Sequence, residues 1–342
     1  MDLEKTTTYS GSKIYEILRS IFDNKPIINF ENNILNNNPF NNFEYVRYFY
    51  AWNNNSCRLD VSFFIFFFIL YGYCERKELE KSSYSYLIYS ISQKISNKTD
   101  EDLHKGIWPL IDEYNSKLKK FVNISKGYYD TKFGLFKAFA GDKLFCPILE
   151  GFDICSCNIS TNKEIKIEYG FPICSISSNE INNNSLSLAS ALANTFKPHF
   201  KFCNKCNLKP ESYYAVKQFK LTGEDAVYSQ HIIKNVKLPK FLSFIFEGNN
   251  EEIIKGEKTK NLVKDKLIIK QQAYNLVGGI LAPSESHLRA FIYNCEHDYF
   301  DLHKGEHYYY DGLLNGGAVE KIGDTLNFII EKNSYLVIYL KE

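Results

Sequence analysis

The stretch from Asn53 to Leu70, "NNNSCRLDVSFFIFFFIL", decides how the rest of the chain is read. Three asparagines and a serine form a polar turn, Cys57 follows, and after two charged residues the sequence becomes almost wholly apolar. A run this apolar on every side predicts a helix buried all round rather than an amphipathic surface helix. Asn55 or Ser56 is a suitable cap for that helix. The first helical N–H groups and the positive end of the helix dipole then favour thiolate over thiol at Cys57. The Cys57 N–H, with an asparagine side chain from 53 to 55, offers donors to an oxyanion. This is the layout of an activated nucleophile. A small buried hydrophobe is the other reading of the position.

The uncharged run from Val61 to Cys74 is 14 residues long. A bilayer-spanning helix needs roughly 20, so the run predicts a core helix. The chain has 342 residues, 44% of them apolar, enough for a sizeable core. Net charge is +1 from 41 basic and 40 acidic residues, so no broad basic field invites nucleic acid. The start, "MDLEKTTTYS", has no signal-peptide core. Nine cysteines are then expected in a reducing compartment, cytoplasmic or nuclear, as core fillers, metal ligands or nucleophiles.

Outward from the central helix, "GSKIYEILRSIF" (11–22) shows helical spacing, and residues 23–44 are rich in Asn and Pro. The expected division is an N-terminal extension, 1–43, partly helical and Asn-rich, and a main domain, 44–342. Residues 83–120 carry further helical patterns. Beyond about 125 short β-like runs take over, among them "EIKIEYGFPI", "KFLSFIF", "DKLIIKQQ", "YNLVGGIL", "RAFIYN", "HYYYDG" and "SYLVIYL". The fold class expected is α+β, with a helical N-terminal half and an antiparallel, β-rich C-terminal half.

A nucleophilic cysteine needs a histidine, and the histidine an orienting acid. Of seven histidines, His287 opens a strand after a polar turn, and Asp311 closes the aromatic run "HYYYDGL" 24 residues later, as neighbouring hairpin strands allow. His297, His303 and His307 lie in a polar connection and read as surface residues.

This order of motifs resembles the ubiquitin-specific proteases, papain-like cysteine peptidases. "NNNSCRLDVSFF" is similar to that family's cysteine box, with Asn55, Ser56, Cys57 and Leu59 matching in kind. "LPKFLSFIFE" (238–247) resembles its Leu-Pro-Lys strand, "YNLVGGILAPSESHLRAFIYN" (274–294) its histidine box, and "YYYDGL" (308–313) its closing aromatic-Asp. The four span 57–313. Ser286-His287-Leu288 stands where the family has Gly-His-Tyr, and Trp52 where it usually has an asparagine, leaving Asn53 as the nearest oxyanion donor. The resemblance is to compact, divergent members, which include a SUMO-directed branch. It implies a papain-like fold with Cys57 as nucleophile, His287 as base, Asp311 as orienting acid and Asn53 at the oxyanion. It also implies ubiquitin or a ubiquitin-like modifier and its conjugates as partners, with neither nucleic acid nor membrane. A non-catalytic modifier-binding module and a transglutaminase-type acyltransferase are the rivals.

"ICSCN" carries Cys155 and Cys157, and "FCNKCN" carries Cys203 and Cys206. Two close pairs of thiolates suit a four-cysteine structural zinc, and many ubiquitin-specific proteases hold their fingers region in that way. Ordinary reduced cysteines on surface turns are the alternative. Cys74, Cys146, Cys174 and Cys295 read as core or incidental.

Overall fold

The computed structural model describes residues 44–53, 56–124, 134–155, 166–177, 187–196, 199–201, 229–247, 262–284, 287–293, 302–313, 317–323 and 334–342. The expected extension, 1–43, lies outside them. So do "YYAVKQF" (213–219) and "LNFII" (326–330), which also read as β-like.

The apolar run forms helix α1, Cys57–Phe66, which continues as a π-helical turn over Phe67–Tyr71. From Leu59 to Leu70 every residue is buried, which is why no polar face is visible in the sequence. Helices α2 (Tyr84–Ile95), α3 (Asp100–His104), α4 (Trp108–Leu118) and α5 (Gly134–Lys137) follow. Ser83 and Thr99 cap α2 and α3 by accepting from Tyr86 N and Asp102 N.

Strands dominate the remainder: β1 Glu44–Tyr48, β2 Ile148–Cys155, β3 Lys166–Tyr169, β4 Cys174–Ser177, β5 His199–Lys201, β6 Ser229–Lys237 and β7 Phe241–Glu247. Then come β8 Lys266–Ile269, β9 Gln272–Ser284, β10 His287–Ile292, β11 His307–Tyr310, β12 Ala318–Ile322 and β13 Ser334–Lys341. Among the described residues they build two sheets. The larger runs β1-β12-β11-β10-β9-β13-β7-β4, with β8 paired to β9. The smaller runs β3-β2-β6-β5. The fold is α+β.

Three features depart from the sequence expectation. Strand β1 precedes all the described helices yet completes the large sheet against β12. Helix α6, Leu188–Thr195, sits within the β-rich half. And β4 pairs with β7 in parallel, since the chain between them is a long crossover that includes α6. "DKLIIKQQ" is a strand and a tight turn: Lys270 and Gln271 take φ of 48° and 63°, as a two-residue hairpin requires.

The large sheet is covered on both faces. Along β13, Leu336, Ile338 and Leu340 enter the core shared with α1, α2 and α4. Val337 and Tyr339 point to a second cluster with α6, Leu262 and Leu267. Burial on both faces makes "SYLVIYL" a continuous apolar run rather than an alternating one. Cys74 and Cys174 are buried in these two cores, and Cys146 is buried as well. No helix among the described residues is long and apolar enough to cross a membrane.

Candidate active site

Helix α1 packs against β10 and β9, so its first residue meets the start of the histidine strand. Cys57 is 6% exposed. Its thiol is approached by the backbone N–H groups of Arg58 and of Leu288, the residue after His287. On the same strand, His287 Nε2 is 2.7 Å from Asp311 Oδ1. With Nε2 engaged there, Nδ1 is the ring nitrogen left for a thiol. The β9–β10 pairing shifts register between His287 and Arg289, a bulge that re-aims side chains at this strand end.

Strand β11 delivers Asp311. Tyr310 is stacked on Phe64 of α1 at 4.6 Å and held edge-on by Phe49, and its hydroxyl donates to Tyr50 O. Asp311 is 2% exposed on its side chain and accepts at Oδ1 from Leu313 N at 3.0 Å. Its Oδ2 lies 2.8 Å from Arg289 Nε. This is an ion-pair contact whose angle does not make a hydrogen bond. The pairing Ala290↔Tyr310, extended by one residue, sets Arg289 opposite Asp311. Burial alone would push the Asp311 carboxyl up. The hydrogen bond and charge of His287, the Arg289 guanidinium and the Leu313 N–H offset this and hold it below the usual carboxylate range.

Two expectations change. Ser56 precedes the helix but makes no side-chain cap. Its hydroxyl accepts from Asn53 N at 2.9 Å and donates to Asp60 Oδ2 at 2.6 Å instead. Asn55 lies outside the described residues. Nor is Cys57 held as a low-pKa thiol: burial above all pushes it up to about 11, and the Asp60 carboxyl one turn on adds to this wherever it is ionised. Arg58 and the two backbone N–H groups only partly offset them. The dipole argument counted the amides and missed the loss of water.

Asn53 is exposed, and its amide donates to Lys105 O at 3.4 Å. Its carbonyl accepts from Trp108 Nε1 at 2.8 Å. Gly106 sits against it with φ +79°, where an added Cβ would come within 2.9 Å of Asn53 Cβ. Asn53 therefore ties the turn before Cys57 to the loop between α3 and α4. His303 is exposed, and His307 stacks on Tyr293 at 4.4 Å. His297 lies outside the described residues, as do Cys157, Cys203 and Cys206. Cys155 ends β2, and its side chain is not among those described. Among the described residues no three metal-ligating side chains gather. Sequence reading missed Asp60 and Arg289. Neither carries a motif, and each acquires its place only through packing or register.

No family model matches the sequence, and no curated protein does. Solved structures show loose likeness. The Saccharomyces cerevisiae PAN2 pseudoubiquitin-hydrolase is 14% identical with a TM-score of 0.45, covering 94% of this chain and 92% of that one. The PAN2 pseudoubiquitin-hydrolase-RNase module is 14% identical with a TM-score of 0.47, and here the match spans 88% of this chain but only 54% of that one. Ubp8, in a SAGA DUB module bound to ubiquitin aldehyde, is 12% identical with a TM-score of 0.43, over 95% of this chain and 75% of that one. The fold of this chain stands on its own strands and helices.

Proposed function

We propose that this chain is a thiol isopeptidase that removes ubiquitin or a ubiquitin-like modifier, SUMO among the candidates, from lysine side chains. One observation carries the reading. Cys57 starts a buried helix whose thiol lies against Leu288, and the adjacent His287 is bonded to a buried Asp311. The motif order from the cysteine box to the closing Tyr-Asp supports the choice of substrate.

In this mechanism His287 takes the thiol proton as Cys57 attacks the carbonyl of the modifier's terminal glycine. The negative charge of Asp311 stabilises the imidazolium and fixes its tautomer. The Arg58 and Leu288 N–H groups, already directed at sulfur, face the developing charge. His287 then returns the proton to the leaving lysine amine, and water hydrolyses the thioester. A thiol at about 11 is compatible with this sequence, because proton transfer accompanies attack once substrate has displaced water. Cys155, Cys157, Cys203 and Cys206 would hold a structural zinc, which would supply stability and take no part in the chemistry.

The test is hydrolysis of reporters in which ubiquitin or SUMO is joined to a lysine side chain. Turnover of either that disappears in Cys57→Ser supports the reading. No turnover of both, or turnover that survives Cys57→Ser, overturns it. The raised Cys57 thiol and the Arg289 contact on Asp311 favour a second reading, a module that binds the modifier without cutting it. It predicts equal binding by wild type and Cys57→Ser, with no turnover by either.

A further inference from the structure

Asp60 is a buried titratable group with no part in the mechanism above. It lies one turn after Cys57 in α1 and is 0% exposed. Its Oδ2 accepts from Ser56 Oγ at 2.6 Å, while its Oδ1 finds no hydrogen-bond partner among the described residues. Among the described residues no ion pair reaches it. Above it runs the Tyr310–Gly312 turn. A methyl group added to Gly312 would come 3.1 Å from Tyr310 Oη, 3.4 Å from Asp60 Oδ2 and 3.5 Å from Trp52 N. The carboxyl of Asp60 and the hydroxyl of Tyr310 thus converge on the same side of Gly312. Trp52 N donates to Gly312 O at 2.8 Å, and Tyr310 Oη donates to Tyr50 O, so the segment before α1 grips this turn as well.

We propose that Asp60 is a positioning residue: bonded to Ser56, the residue before Cys57, and lying beside Tyr310 and Gly312, which flank Asp311, it sets the thiol against the His287–Asp311 pair. The inference rests on the thiol-hydrolase reading, but the contacts it invokes exist whatever the substrate. Asp60 does this as a neutral acid. An ionised carboxylate with a single hydroxyl donor and no cation paired to it among the described residues is costly to bury. Burial accordingly pushes its carboxyl well above the usual range, with the Ser56 bond pulling the other way. The titratable groups that face it are Cys57 on its own helix, Tyr50 before the helix and Tyr310 from β11, with Arg58 acting on Cys57 and Asp311 on Tyr310. None is a cation that compensates it on the sheet side.

The test compares Asp60→Asn and Asp60→Leu in the full chain. Asparagine reproduces a neutral acid in shape and hydrogen bonding, and leucine keeps the volume while removing the polar link. Asp60→Asn should keep kcat within about twofold. Its Tm should equal or exceed that of wild type, by a margin that grows as pH rises above the ordinary carboxylate range. The sign follows from linkage: a folded-state pKa above the unfolded one means the native state binds the extra proton, so wild-type stability falls as pH rises through that window. Asp60→Leu should leave KM unchanged and lower kcat about tenfold or more. It should also lose the downfield NMR resonance of the His287 ring N–H bonded to Asp311. If leucine prevents folding, Ser56→Ala removes the link from its other end and should weaken the same resonance. Retention of both resonance and kcat in Asp60→Leu, or of the resonance in Ser56→Ala, overturns the proposal. So does an Asp60→Asn loss as large as that of leucine. Should the wild type turn over neither modifier, the hydrolase reading fails while the resonance still decides the role of Asp60.

Discussion

Replacing Asp311 by asparagine removes a negative charge and almost no volume, so its cost can be worked from the contacts. Asp311 accepts from His287 at 2.7 Å and from Leu313 N at 3.0 Å, and meets Arg289 at 2.8 Å. An asparagine oxygen still serves the Leu313 N–H. The His287 bond loses its charge, and charge-assisted bonds contribute roughly 1.5–3 kcal/mol. The Arg289 side chain is 25% exposed, so water recovers much of what that contact gave. The net loss at pH 7 is about 2 kcal/mol, or a Tm fall of about 3 °C for a chain of this size. Because the folded-state carboxyl of Asp311 lies below its unfolded value, the native state binds fewer protons in that window. The contribution is complete above about pH 4 and is lost as pH falls through the folded value. Urea unfolding of both proteins at pH 7, 5 and 3 is the assay. A gap near 2 kcal/mol at pH 7 and 5 that narrows at pH 3 is expected. A gap of the same size at every pH, or none at pH 7, would refute the electrostatic account. If the hydrolase reading is right, the same variant loses turnover by about a hundred- to ten-thousand-fold.

Further outcomes follow from neighbouring contacts. Cys57→Ser should abolish turnover yet keep the melting profile and modifier affinity of wild type, because the hydroxyl is close in size to the thiol at a helix end. Alkylation of Cys57 by iodoacetamide, read by mass spectrometry, should still be climbing as pH approaches about 11. A plateau near neutral pH would show a thiolate that burial should forbid. Gly312→Ala drives a methyl to 3.1 Å from Tyr310 Oη and should cost roughly 1–3 kcal/mol in chemical denaturation. Protein purified without chelator should carry one zinc per chain by elemental analysis, and none in a Cys203→Ser, Cys206→Ser variant.

The sequence exposed those parts of the molecule whose meaning is local. An apolar run with no polar stripe identified α1, and alternating or aromatic runs identified β7, β9, β10, β11 and β13. Strands such as "EYVRY" and "AVEKI" were not visible, because charge and brevity hide them until β1 and β12 pair with each other. The parallel β4–β7 pair is a long-range outcome that no window of sequence contains. At the candidate site, residue type and order single out Cys57, His287 and Asp311; the structure bonds His287 to Asp311 and sets the Cys57 thiol against the Leu288 N–H. Asp60 could not be picked out, since "CRLD" reads as a charged helix start, and only burial reveals a carboxyl without water. Arg289 needed the β10–β11 register to stand opposite Asp311. The thiol was misjudged for the same reason that Asp60 was missed: sequence shows which dipoles are near a group, and packing shows how much solvent remains.

The account turns on Cys57 being the atom that attacks a modifier's C-terminus, and mapping a covalent adduct tests this most directly. The 342-residue chain is incubated with ubiquitin and with SUMO, each bearing a C-terminal electrophile, and the modified peptide is sequenced by mass spectrometry. The account predicts one adduct with at least one probe, on Cys57, absent in Cys57→Ser and strongly slowed in His287→Gln. No adduct with either probe, or an adduct on another cysteine, would contradict it.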